Sequence, residues 1–195
     1  MGQEIEFKYR VAAGQMPRLE KALCPVDGWE AVNMETVYFD TADFALSARK
    51  WTLRTRLEND QSIVTLKTKA VGFARGEWEL SATHPAKVLA QLVAMGAPEE
   101  LLSLCQDGLF PICGAKFLRK RGTVSLAGGT TIELALDAGI LTGGGSQEEV
   151  CELEVELKSG ETASALAYAQ ELAAKWELSP EYRGKFTRAL ALRRK

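Results

Sequence analysis

Glu4-Ile5-Glu6-Phe7-Lys8-Tyr9-Arg10-Val11 alternates charged with apolar side chains. On a strand, successive side chains point to opposite faces, so Glu4, Glu6 and Lys8 share one face while Ile5, Phe7 and Tyr9 share the other. Carboxylates at this spacing can bind a hard divalent cation through oxygen, and a lysine one step along can reach an anion held by that cation. A solvated strand face also carries charge at alternate positions. The stretch gains weight because its arrangement recurs along the chain.

Outward from it, Thr36–Thr41 reads as a second strand and Trp51–Glu58 as a third, with Leu53, Thr55 and Leu57 opposite Arg54, Arg56 and Glu58. A turn at Asn59-Asp60-Gln61 leads into Ser62–Lys69, where Val64 and Leu66 face away from Lys67 and Lys69. Glu77–Leu80, Leu118–Leu126, Thr131–Ile140 and Val150–Lys158 complete the strands, with glycine turns at 128–129 and 143–145. Helical periodicity covers Met16–Leu23, Pro85–Met95, Pro98–Cys105, Thr162–Trp176 and Lys185–Leu192.

Sorted by strand, the charges separate by sign. Acids come from Glu4, Glu6, Glu77, Glu79, Glu133, Asp137, Glu152, Glu154 and Glu156; bases come from Arg54, Arg56, Lys67, Lys69, Arg119 and Arg121. Like charges two apart repel, so something of opposite sign must compensate. Either an open sheet turns this face to water, or about eight antiparallel strands close into a barrel with a charged, wet interior. A closed channel of this kind suits a polyanion carried with divalent metal, since carboxylates hold the metal and Arg and Lys hold phosphate oxygens.

Composition narrows the remaining classes. The chain has 195 residues and a formal charge of −2, which gives no global attraction to nucleic acid or an acidic membrane. A single domain over 1–195 is expected, with no linker or fixed-period repeat to divide it. Cys24, Cys105, Cys113 and Cys151 are far apart without C-x-x-C spacing, which indicates neither a zinc site nor a disulfide framework. With no apolar run of spanning length and no signal-like start, a cytoplasmic protein is expected. His84 is the only histidine and precedes Pro85 at a helix start, where it reads as a cap; Ser-His and Cys-His nucleophile schemes lack their base. Trp29, Trp51, Trp78 and Trp176 read as helix-to-sheet packing.

Six stretches in order, covering nearly the whole chain, resemble the CYTH, or triphosphate tunnel metalloenzyme, superfamily. They are Glu4-x-Glu6-x-Lys8, Tyr38-Phe39-Asp40-Thr41, Leu53-Arg54-Thr55-Arg56, Thr65-Leu66-Lys67-Thr68-Lys69, Glu152-Leu153-Glu154-Val155-Glu156 and Lys185-Phe186-Thr187-Arg188. The resemblance implies an α+β fold: a closed eight-stranded antiparallel β-barrel, or tunnel, with a charged interior and helices packed outside. It implies binding of a triphosphate-containing small molecule with Mg²⁺ or Mn²⁺; the charge balance and the lack of a spanning apolar run lead us to expect no nucleic-acid or membrane partner. Cys151–Leu157 and Ile132–Asp137 look most like the bacterial inorganic triphosphatases, so hydrolysis of inorganic triphosphate to diphosphate and phosphate is expected. Thiamine triphosphatases and class IV adenylyl cyclases share the tunnel, and a non-catalytic polyphosphate- or nucleotide-binding module is a further alternative. Carried over residue by residue, Glu4, Glu6, Lys8 and Glu154 are expected to be catalytic, and Glu4, Glu6, Glu152 and Glu154 to hold metal. Lys8, Arg54, Arg56, Lys67, Lys69, Arg119, Arg121 and Lys185 are expected to grip phosphate. In some such enzymes a C-terminal histidine-rich helical domain follows, so a stand-alone or truncated form is expected here.

Overall fold

The opening alternation folds as β1 (Glu6–Arg10) in the computed structural model, which describes residues 5–68 and 76–194. The later strands are β2 (Glu30–Asp40), β3 (Thr52–Glu58), β4 (Gln61–Lys67), β5 (Glu77–Ser81), β6 (Phe110–Ser125), β7 (Thr131–Gly143), β8 (Ser146–Ser159) and the short β9 (Ser179–Pro180). The α-helices are α1 (Met16–Ala22), α2 (Ala45–Ala48), α3 (Leu89–Ala94), α4 (Glu100–Leu104), α5 (Thr162–Trp176) and α6 (Lys185–Ala191).

The strands form one nine-stranded sheet in the order β5-β4-β3-β2-β6-β7-β8-β1-β9. This overturns the expected closed eight-stranded barrel with a charged interior. Closure in that order would join β1 to β5. Among the described residues the second edge of β1 pairs with β9 instead, Tyr9 opposite Pro180 and Arg10 opposite Ser179. Pro180 has no N–H to donate, which suits it to an edge strand.

The chain divides into two compact units, Met1–Asn33 with Phe117–Ile140 and Glu149–Gly184, and Met34–Lys116 with Leu141–Glu148 and Lys185–Lys195. In the first, Tyr9, Ile132, Leu134, Leu136, Leu153 and Val155 form an apolar sheet face beneath Leu19 of α1 and Ala165, Ala169 and Leu172 of α5. The spacing of the α5 residues is that of one helical face. Because strand side chains alternate, burying this face commits Glu6, Lys8, Arg10, Asp137, Glu152 and Glu154 to the other. In the second unit, Leu53, Val64 and Leu66 pack with Leu46 of α2, Leu92 of α3 and Leu101 of α4. Arg54, Arg56, Thr65 and Lys67 are left on the opposite face.

Trp51 lies in the second core and Trp78 packs against it, while Trp29 and Trp176 pack against the first. The expected helix over Pro85–Met95 is split. Pro85–Lys87 forms a 3₁₀ turn, with His84 Nδ1 accepting from Ala86 N at 3.2 Å, and Val88 at φ −129 and ψ 7 separates it from α3.

Candidate functional site

The register of β1 on β8 places Glu6 opposite Glu156, Lys8 opposite Glu154 and Arg10 opposite Glu152. Direct partners on antiparallel strands share a face. Asp137, from β7, joins Glu152 and Glu154 there: one carboxylate oxygen from each lies within 4.8 Å of the others. Their exposures are 0, 1 and 6 % for Asp137, Glu152 and Glu154. Three carboxylates so close and dry call for compensating positive charge.

Arg119, from β6, supplies part of that charge. It donates to Asp137 through Nε at 2.8 Å and Nη2 at 2.7 Å, and Nη2 also reaches Glu154. Burial disfavours the guanidinium's charge, but Glu154 and Asp137 outweigh burial and raise its pKa. Glu6 is the perturbed acid beside this set. Burial foremost, then Glu154, pushes its carboxyl up to about 7, against the opposing pull of Lys8. Lys8 Nζ donates to Glu6 at 3.3 Å.

The acidic triad fits a hard divalent cation, because its donors are all carboxylate oxygens with no thiolate or imidazole among them. Of the expected metal residues, the structure brings Glu152 and Glu154 together and sets Glu6 beside Glu154; Glu4 lies outside the described residues. Asp137 was not among the expected ligands. The alternation Ile132-Glu133-Leu134-Ala135-Leu136-Asp137 already put it on the acidic face, but only β7's neighbour relation to β8 shows which acid of that strand joins Glu152 and Glu154.

The second unit holds the basic face. Arg54 is the Cα partner of Tyr38 on β2 and of Thr65 on β4. Its Nε is buried without a hydrogen-bond partner, a donor that an anion could satisfy. Tyr38 is hydrogen-bonded to Arg54, and its phenol is raised chiefly by burial, against the pull of Arg54 and Lys185. Its ring centroid lies 5.0 Å from that of Phe186, the neighbour of Lys185 on α6. Arg188 on the same helix is buried and donates to Glu148 at 3.0 and 2.9 Å. Lys69 lies outside the described residues.

The strict separation of charges by sign does not hold. Arg56 pairs with Glu58 at 2.5 Å, and Lys67 pairs with Glu77 at 2.9 Å. In the first unit, Arg121 pairs with Glu30 at 2.9 Å with its side chain 33 % exposed. The repulsion expected between like charges two apart is relieved by acids on the same or the adjoining strand.

The family model for the CYTH domain matches residues 2–189. The chain belongs to the CYTH domain family. This CYTH chain is 30 % identical over 179 residues to an inorganic triphosphatase of Haemophilus influenzae, an alignment covering 88 % of this chain and 50 % of that protein. The chain therefore spans about half the length of that curated relative. A solved structure from Bacillus halodurans, described as a candidate adenylate cyclase, is 22 % identical with a TM-score of 0.62, covering 96 % of this chain and 98 % of that one. A Hippeastrum protein, described as a candidate adenylyl cyclase with a dominant triphosphatase activity, is 18 % identical with a TM-score of 0.55, covering 93 % and 91 %. At these identities the two structures speak to the fold alone. Among the described residues no helix is long and apolar enough to cross a membrane.

Proposed function

We propose that the chain hydrolyses the terminal phosphoanhydride of inorganic triphosphate with Mg²⁺ or Mn²⁺. The observation that carries this reading is the triad of Asp137, Glu152 and Glu154, three buried carboxylates with oxygens within 4.8 Å of one another. The 30 % identity to an inorganic triphosphatase supports the choice of substrate.

Asp137, Glu152 and Glu154 hold the cation, with Glu6 alongside. When bound there, a divalent cation neutralises phosphate charge and acidifies a coordinated water. In the first unit Lys8 and Arg119 offer positive charge to phosphate oxygens; the second unit, by itself, presents Arg54, Arg56, Lys67 and Lys185 as basic groups suited to an anion. The buried Nε of Arg54 is ready for such an oxygen, because a charge-assisted bond there satisfies a donor that is otherwise orphaned. Glu6, a carboxylate alongside the cation, is the base assigned here to take a proton from the attacking water.

The test is phosphate release by the purified protein from inorganic triphosphate, thiamine triphosphate and ATP, with Mg²⁺, Mn²⁺ or chelator, while cyclic AMP is measured in parallel. Fastest release from inorganic triphosphate that stops with chelator is the expected result. Turnover unchanged by chelator, or cyclic AMP as the main product, overturns the reading.

A further inference from the structure

Beyond the proposed chemistry, another buried carboxylate lies across β1 from β8, the strand that carries Glu152 and Glu154. Glu181 is 5 % exposed and follows β9, where its backbone N–H donates to Lys8 O at 2.9 Å. Its carboxylate accepts from Arg10 Nε at 2.7 Å and from Arg10 Nη2. It also accepts from Arg183 N at 2.9 Å, Nε at 3.3 Å and Nη2 at 3.4 Å. Burial opposes its ionisation, but the donors of Arg183 and Arg10 outweigh burial and hold it at about 2.

Arg10 is the Cα partner of Glu152, so the two side chains leave the sheet on the same face. Direct partners have Cβ atoms about 5 Å apart, which is within reach of an arginine. The side-chain hydrogen bonds of Arg10 nevertheless run to Glu181. Arg119 already lends positive charge to Asp137 and Glu154, and Arg10 on Glu152 would add more.

We propose that Glu181 is a positioning residue that parks Arg10 away from Glu152 and so preserves the negative charge with which the triad attracts a divalent cation. The inference rests on the triad being a cation site. It requires that Arg10 compete for Glu152 once its partner on β9 is lost, and the electrostatics favour this: a guanidinium released from one carboxylate beside another pairs with it.

Mn²⁺ binding by calorimetry on the whole chain tests it, with circular dichroism verifying the fold. Glu181→Gln keeps the side chain's shape and removes its charge, and should weaken Mn²⁺ binding about tenfold or more, the scale on which residues behind metal ligands act. Arg10→Gln alone should bind Mn²⁺ as the wild type does, because Arg10 is already parked. The double variant should recover wild-type affinity. Glu181→Asp, a milder change that retains a shorter carboxylate, should fall between wild type and Glu181→Gln and be restored by the same second substitution. Wild-type affinity in Glu181→Gln overturns the proposal. So does a double variant that stays weak, since the clamp would then matter only to folding. Tightening in Arg10→Gln equal to the loss in Glu181→Gln would show long-range charge without parking. Failure of the wild type itself to bind Mn²⁺ overturns the triad as a cation site, and the proposal with it.

Discussion

Arg119 grips Asp137 side-on, through two hydrogen bonds of 2.8 and 2.7 Å, and the same Nη2 reaches Glu154. A guanidinium thus neutralises part of the charge on the three acids proposed to hold metal. Arg119 and a divalent cation answer the same need, and each makes the other less necessary.

Removing the arginine should therefore have two opposite effects. Arg119→Ala leaves a buried acidic cluster uncompensated and should cost about 3 kcal/mol of metal-free stability, as broken buried pairs do. It should also tighten Mn²⁺ binding, because the triad keeps more negative charge. Denaturant unfolding with and without saturating Mn²⁺ reads both. A variant with normal metal-free stability, or one that binds Mn²⁺ more weakly, contradicts this account.

Asp137→Asn probes the ligand that strand alternation alone did not select. The substitution preserves size but removes one of three charges, and Mn²⁺ affinity should fall by about tenfold or more, because hard cations bind according to the number of charged oxygens. Glu133→Gln, on the same strand, provides the comparison and should leave Mn²⁺ affinity nearly unchanged. Equal losses from both would indicate a diffuse acidic surface in place of a defined site.

Strand alternation made the chemistry of the two sheet faces readable. Ile132, Leu134, Leu136, Leu153 and Val155 fall on the core side as their spacing predicts. Sheet order was less accessible, because it depends on which edges find partners. The two-residue β9 has no periodicity to betray it, and its pairing with β1 takes the edge that barrel closure would need. Strand length was also underread where breakers stand inside a strand. β6 begins at Phe110 despite Pro111 and Gly114, and Gly114 belongs there because a Cβ would come within 2.9 Å of Thr36 O. Likewise α2 has only four residues, held at its start by Asp40 accepting from Leu46 N and Ser47 N, both at 2.9 Å.

On the basic face, Arg54→Ala should weaken triphosphate binding by about 2 kcal/mol, roughly thirtyfold in Kd, if its buried Nε donates to a phosphate oxygen. Tyr38→Phe removes only the phenol bonded to Arg54 and should give a smaller loss in the same direction. Titration of triphosphate against both proteins decides it. A change in Arg54→Ala well below ~1 kcal/mol would place the arginine outside the phosphate site.

Glu6 makes the stability of the metal-free protein depend on pH in an unusual sense. Burial foremost, with Glu154 next, raises its carboxyl from 4.5 to about 7 in the fold. The folded state therefore keeps this proton at pH values where the unfolded chain has released it. Stability changes with pH as the protons bound by the unfolded state minus those bound by the native state, which is negative here, so the contribution falls as pH rises. The window opens near 4.5 and closes near 7, as the two pKa values set it. Across it the loss is on the order of 3 kcal/mol, since one pKa step is worth about 1.4 kcal/mol. Glu6→Gln cannot ionise and should remove this slope, becoming more stable than the wild type at neutral pH in the presence of chelator. Saturating Mn²⁺ should reverse the order, because the cation favours the ionised carboxylate that the substitution eliminates. Urea unfolding at a series of pH values, with chelator or with Mn²⁺, reads both effects, and parallel wild-type and Glu6→Gln curves between pH 4.5 and 7 would show that Glu6 is not the titrating group.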